Sequence, residues 1–241
     1  MRKSLIAAAA AVLVASLSAP GHAELSLDGG YTSLNVRGLN SDQDTLKGFM
    51  IGAPIPYSFI SNKMENGYFV SLGESMDGNR FHPGFRLEFI QSETAHLHDE
   101  FTFIFGHSIY DQQDTVSLLP LMLGFSPELW SAGGAHLSGS LYAGYAAAED
   151  VHVVYVQHLP FTRGRNGLTQ AFGGGFIAEA DLRAGYSLSR ALSLDLNAGY
   201  RLAEMGNLYD ASKAPVTGWT GATIGFDMSG FNFGGGISYG F

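Results

Sequence analysis

Cysteine is absent from this chain. That excludes disulfides and a lipid anchor on a cysteine thiol, and it suits export through an oxidising compartment. Lysine is nearly absent. After Lys3 it occurs only as Lys47, Lys63 and Lys213, each in a stretch that reads as loop. Long apolar runs are missing as well. Past the first 23 residues nothing approaches the ~18 continuous apolar residues of a spanning helix, so a membrane role can come only from strands. With Arg2 and Lys3 set aside, 11 Lys and Arg face 22 Asp and Glu, a net charge of −11. Phosphate recognition needs clustered Lys and Arg, and nucleic acid is excluded as a partner.

The first 23 residues read as a signal peptide. Arg2 and Lys3 form a basic start, Leu5 to Leu17 an Ala-rich apolar run, and Gly21-His22-Ala23 offers the small residues a signal peptidase reads. Cleavage is expected after Ala23, leaving 24–241 as a single domain.

What the remainder does have is glycine (32), phenylalanine (17) and tyrosine (11), set in a strict period of two. Phe231, Phe233, Gly235, Ile237, Tyr239 and Phe241 alternate with Asn232, Gly234, Gly236, Ser238 and Gly240. Such a period is a strand with unlike solvents on its two faces. Leu25-Leu27-Gly29-Tyr31, Phe85-Leu87-Phe89, Phe101-Phe103-Phe105 and Leu137-Gly139-Leu141-Ala143-Tyr145 repeat it. The opposite faces carry Gly, Ser, Asn and a few charges. They are too small and too sparsely charged for the exterior of a soluble lipid-binding barrel, whose grease lies inside. An all-β, antiparallel transmembrane β-barrel with lipid outside and a polar lumen inside fits both faces. Strands are predicted near 24–34, 46–57, 67–76, 81–92, 99–110, 117–129, 135–147, 171–187, 191–204 and 227–241. That makes ten. Eight follows if the proline-bearing segments 46–57 and 117–129 are loops, and twelve if Val151 to His158 finds a partner. Long loops are expected at 35–45, 148–170 and 205–226, with both termini on the periplasmic side of a bacterial outer membrane.

The clearest hairpin runs from Phe172 to Leu202 around Ser189-Arg190. Its apolar faces coincide only with an odd-length turn, three residues for preference, because a one-residue slip flips every side chain. Arg183 then lies near Asp195, and an inward-facing pair is predicted. Arg86, Glu88, Glu179, Asp181, Arg183, Asp195 and Arg201 are the expected lumen charges.

The close of the chain, Asp227-Met228-Ser229-Gly230-Phe231 through Ile237-Ser238-Tyr239-Gly240-Phe241, resembles the C-terminal strand of bacterial outer-membrane barrels. The resemblance implies that Phe233, Ile237, Tyr239 and Phe241 form an insertion signal read by the barrel-assembly machinery. The hairpin 178–202 is similar to the penultimate hairpin of OmpA-like and OmpW-like barrels. The likeness covers about the last seventy residues and implies contact with outer-membrane lipid and lipopolysaccharide.

No catalytic residue and no cofactor is expected. Lipid A deacylases and palmitoyltransferases use Ser and His near the outer rim, and His107-Ser108 is the nearest echo. Neighbouring strand residues point to opposite faces, however, and the His-x-Ser spacing of the deacylases is lacking. His96 and His98 are the candidate metal ligands, with Asp99 or Glu100 as third, since two His at i and i+2 share a face; a hydrated turn on the periplasmic side is the plainer reading. The leading expectation is a structural or narrow-pore outer-membrane protein. The alternative is recognition of a surface partner by the outer loops.

Overall fold

The computed structural model describes residues 23–34, 36, 40, 41, 44, 45, 47, 57–76, 81–103, 106–159, 165–217, 221 and 223–240. Residues 1–22 of the expected signal peptide, most of the strand expected at 46–57, and Phe241 lie outside them.

Twelve strands are described: β1 (Ala23–Ser33), β2 (Tyr57–Asn62), β3 (Asn66–Met76), β4 (Phe81–Ser92), β5 (Ala95–Phe103), β6 (Gly106–Ala132), β7 (Ala135–Leu159), β8 (Arg165–Ser187), β9 (Leu192–Asn207), β10 (Tyr209–Asp210), β11 (Gly225–Asp227) and β12 (Gly230–Gly240). Eight of them close a ring of antiparallel ladders in the order β1-β3-β4-β6-β7-β8-β9-β12, with β12 returning to β1 from Glu24↔Gly240 to Thr32↔Asn232. The ring leaves no free edge in the wall. Its interior is just wide enough for side chains to fill.

The strand lengths depart from the expected pattern. A barrel strand needs about 9–11 residues to cross a bilayer, yet β6, β7 and β8 have 27, 25 and 23. The segments 148–159 and 165–170, expected in a long loop, continue β7 and β8 and stay paired, Asp150 to Ala171 and Val156 to Arg165. Val151 to His158 does find partners, as an extension of β7 rather than as an extra pair of barrel strands. The strand expected at 99–110 is two arms of a hairpin, because Phe103 pairs with Gly106. Apolar alternation continues through both arms and conceals the reversal. The segment 117–129 is a true barrel strand, the part of β6 that pairs with β4. Pro120 lacks an N–H to donate, and the β4–β6 ladder is interrupted there, between Leu87↔Leu121 and Ile90↔Leu118. In the region expected as a loop at 205–226, β9 runs on to Asn207, and β10 and β11 pair with β8 and β9.

Above the ring, β6 exchanges β4 for β5, which pairs in turn with β2. The upper parts of β5 to β8, with β2 beside them, therefore form a sheet that projects from one side of the barrel. Short turns gather at the opposite end. Gly133 and Gly134 turn β6 into β7 with φ of 60° and 88°, the left-handed conformation that two-residue hairpin loops require. Leu188 N–H donates to Leu192 O at 2.8 Å, leaving Ser189, Arg190 and Ala191 as a three-residue turn, of the odd length that face matching required.

The outward faces make a belt. Leu27, Val70, Leu121, Leu123, Leu141, Leu182, Leu196, Phe233 and Ile237 are exposed, Leu123 by 71%. Aromatics rim it: Tyr31 against Tyr68 and Tyr200 against Phe231 on one side, Trp130, Tyr186 and Tyr239 on the other. An apolar surface this continuous is matched by lipid, not water. On β6 the outward face turns polar beyond Leu119, at Ser117, Thr115, Gln113 and Asp111, which marks the end of the belt.

Candidate functional site: a filled lumen and a projecting sheet

Inward alternation on eight strands brings the polar residues to one axis. All seven expected lumen charges face it. Arg201 is wholly buried; its Nη2 donates to Glu88 Oε1 at 2.9 Å, its Nε to Glu179 Oε1, and its Nη1 to Thr32 Oγ1 at 3.2 Å. Arg86 Nη1 donates to Glu179 Oε2 at 2.9 Å and to Asp181 Oδ2 at 2.6 Å, and its guanidinium lies 4.3 Å from the centre of the Tyr142 ring. Asn232 Nδ2 and Ser140 Oγ add donors to Asp181 at 3.1 and 3.3 Å.

Arg183 and Asp195 do meet, at 3.8 Å, but Arg183 has a nearer acceptor in Asp28 Oδ2 at 2.6 Å. Asp195 takes Ser238 Oγ at 2.7 Å, and His136 Nε2 stands 3.2 Å from it. Asp28 alternates with Leu27 and Gly29 on β1, and Asn232 with Phe231 and Phe233 on β12, so both lie on polar faces, but alternation does not choose them as partners. Which strands face each other across the ring depends on the strand count.

Glycine makes room for this layer. A Cβ at Gly199 would collide with Asp181 Oδ1, and one at Gly185 with Asp195 Oδ1 and His136 Nε2. Charged groups out of water are tolerated when they are paired, and the small residues let the arginines reach Asp28, Glu88, Glu179 and Asp181, although Asp28 Oδ1, Glu88 Oε2 and both Glu74 oxygens stay buried without a hydrogen-bond partner.

Towards the turn end, a cavity of about 510 Å³ reaches the charged layer, with Arg86, Arg183 and Tyr142 in its lining. Towards the loop end the interior turns apolar. Phe69, Ile90, Leu118, Met122, Ile177 and Met228 are buried there. Leu34, Val36, Met64, Leu208 and Phe226 continue the cluster upward. Among the described residues the lumen is thus a blind vestibule, then ion pairs, then a packed apolar layer.

The histidine cluster lies on the projecting sheet, at the loop end rather than at a turn on the side of the termini. The correction follows from the hairpin at 95–114, which turns the chain round above the ring. His96 Nε2 and His98 Nδ1 both lie 3.1 Å from the Asp111 carboxylate, and His98 Nε2 lies 3.9 Å from Glu100. Asp99 points to the other face, where it is buried. Among the described residues no group of three His, Asp or Glu side chains is placed to hold a metal ion. His107 has both ring nitrogens occupied, Nε2 at 2.8 Å from Glu100 and Nδ1 at 3.1 Å from Thr102 Oγ1, while Ser108 is buried on the opposite face. Of the expected insertion signal, Phe233, Ile237 and Tyr239 are exposed on the outward face of β12.

The closed ring, the apolar belt and the polar interior define a small β-barrel of the outer-membrane type. No family model and no curated protein matches the chain. Among solved structures it is similar to Ail, the attachment invasion locus protein of Yersinia pestis, at 12% identity over 92% of this chain and 100% of that one, with a TM-score of 0.36. The outer membrane protease OmpT from Escherichia coli gives 9% identity over 91% and 96%, with a TM-score of 0.41. Neisserial surface protein A gives 9% over 92% and 100%, with a TM-score of 0.34.

Proposed function

We propose that this protein is a closed outer-membrane barrel whose role is to hold the projecting sheet at the cell surface, where the sheet recognises a partner. The observation that carries this is the filled lumen: Arg201, wholly buried between Glu88 and Glu179, under a packed layer of Phe69, Ile90, Met122 and Ile177. A solute would have to break buried ion pairs, each costly to separate in a dry interior, and then part an apolar core. The narrow-pore expectation loses its support there.

The long strands support the second half. Carrying β6, β7 and β8 on by about nine to thirteen residues past Leu119, Ala147 and Gly174 serves no purpose for anchoring, and paired backbone presents a firmer surface than loops do. In this reading the turn end and both termini face the periplasm. Residues 1–23 direct export, and Phe233, Ile237, Tyr239 and Phe241 serve the assembly machinery. The belt meets outer-membrane lipid, with lipopolysaccharide on its outer side. A rim lipid enzyme built on His107 gains no support, since both ring nitrogens are taken and Ser108 faces away.

The test is a pair of bacterial strains displaying the full chain or a chain in which residues 95–111 are replaced by a short turn. Adhesion to immobilised matrix proteins and glycans is expected to fall to background in the second while its barrel still resists unfolding in detergent. Equal adhesion by the two strains overturns the recognition reading.

A further inference from the structure

Among the described residues, Asp114, Asp150 and His152 lie close together on the inward face of the projecting parts of β6 and β7. Asp114 and His152 are directly opposed in the ladder, and Asp150 stands one inward position away, opposite Val116. All three lie beyond Leu119 and Ala147, past the end of the belt. Asp114 is 1% exposed and Asp150 4%. Asp114 is furnished with donors: Oδ1 accepts from His152 Nδ1, and Oδ2 accepts from Gln112 Nε2 at 2.6 Å. Tyr110 OH in turn donates to Gln112 Oε1 at 2.7 Å and fixes the amide. Asp150 is not so provided, because its Oδ1 is buried with no hydrogen-bond partner.

Charge near Asp150 is one-sided. From β6 its charged neighbour is Asp114 and its ladder partner Val116; from its own strand, His152; from β8, its ladder partner Ala171 and the partner of His152, Thr169. No Lys or Arg occurs between Arg86 and Arg163, a stretch that includes all of β5, β6 and β7. His152 is the one cation these neighbours supply. An ionised Asp150 would place a second buried negative charge beside Asp114, at a cost only a proton removes. Burial, and then the charge of Asp114, push Asp150 up to about 7. For His152 burial works downward, but the hydrogen bond and charge of Asp114 and the charge of Asp150 outweigh it and raise it.

We propose that Asp114, Asp150 and His152 form a proton-held latch that fastens the projecting sheet at mildly acid pH and loosens it as the pH rises past neutral. The latch regulates the surface assigned above to recognition, and its biological consequence rests on that reading. Both groups act in the same direction. A carboxyl raised above its unfolded value near 3.9 stabilises the fold below that value and loses the contribution as pH climbs through about 7. A raised imidazole stabilises below ~6.5 and loses its contribution above.

Hydrogen exchange on the full chain refolded in detergent micelles, corrected for intrinsic rates, reads the opening of 109–118 and 147–156 against the belt segment 192–202. About tenfold faster opening is expected for the projecting segments at pH 8.5 than at pH 5.5, with the belt segment unchanged. Asp150→Asn, which mimics the protonated acid, is expected to cut that step below about twofold. Thr169→Lys, which brings a permanent cation beside the site, is expected to do the same, and it covers the case in which the first variant fails to assemble. A wild-type step that survives both substitutions, or no step at all, overturns the latch. Failure of the adhesion test instead overturns the recognition reading and leaves the exchange step in place.

Discussion

Arg201 Nη2 lies 2.9 Å from Glu88 Oε1, although 113 residues separate them in the chain. Their strands, β9 and β4, are four places apart in a ring of eight, directly across the barrel. Arg201→Met leaves Glu88 and Glu179 without their shared counter-charge inside the lumen. A loss of about 3–5 kcal/mol is expected, as for other buried pairs broken on one side, read from urea unfolding of the refolded barrel. Replacing Glu88 and Glu179 by Gln in the same chain is expected to return much of it. A single variant as stable as wild type shows that the pair does not hold the barrel shut.

The glycines beside the charged layer are open to a sharper test. Gly199→Ala drives a methyl group into Asp181 and is expected to cost about 1–3 kcal/mol, in the range of overpacking elsewhere. Gly139→Ala is the control, since its nearest neighbour stands 3.7 Å away. Equal losses for the two would mean that generic strand effects, not the space for Asp181, decide the residue.

Asp111 offers a test by pH, in the direction opposite to the latch. Burial pushes its carboxyl up, but hydrogen bonds from His98 and His96 prevail and hold it below the ordinary carboxylate range. A depressed carboxylate contributes stability above its unfolded value near 3.9 and loses it as pH falls through the lowered value. Cleavage within 95–111 by pepsin is expected to accelerate as pH falls below 4. In Asp111→Asn the segment is expected to be cut readily at pH 4 already, with no further step. Superimposable curves for the two chains count against the histidine clamp.

Much of this was legible in the sequence. Period-two alternation gave most of the wall: Leu27, Leu141, Leu182, Leu196, Phe233 and Ile237 face outward as it placed them, because side-chain direction along a strand is a local property, whereas Leu121 and Leu123 lie in the proline-bearing segment where the alternation is not clean. Matching faces alone required an odd-length turn around Ser189-Arg190, which the three residues Ser189 to Ala191 satisfy. Partner choice was not legible. Asp28 captures Arg183 through a closure between distant strands, and no local pattern carries that information. The projecting sheet was hidden for a different reason. Its strands alternate as barrel strands do, so Phe101, Phe103 and Ile109 read as one crossing when Phe103 and Gly106 face each other across a hairpin. Length was the missing signal, since 27 unbroken residues in β6 are more than any bilayer requires.

The closed lumen is the central claim, and single-channel recording in a planar bilayer tests it most directly. Residues 24–241, refolded and shown by their resistance to unfolding to be inserted, are expected to pass no steady current. Arg201→Met combined with Ile177→Ser, which removes the ion pair and opens the apolar layer, is expected to leak. Stable, reproducible conductance steps from the unaltered chain would contradict the account and return this protein to the pores.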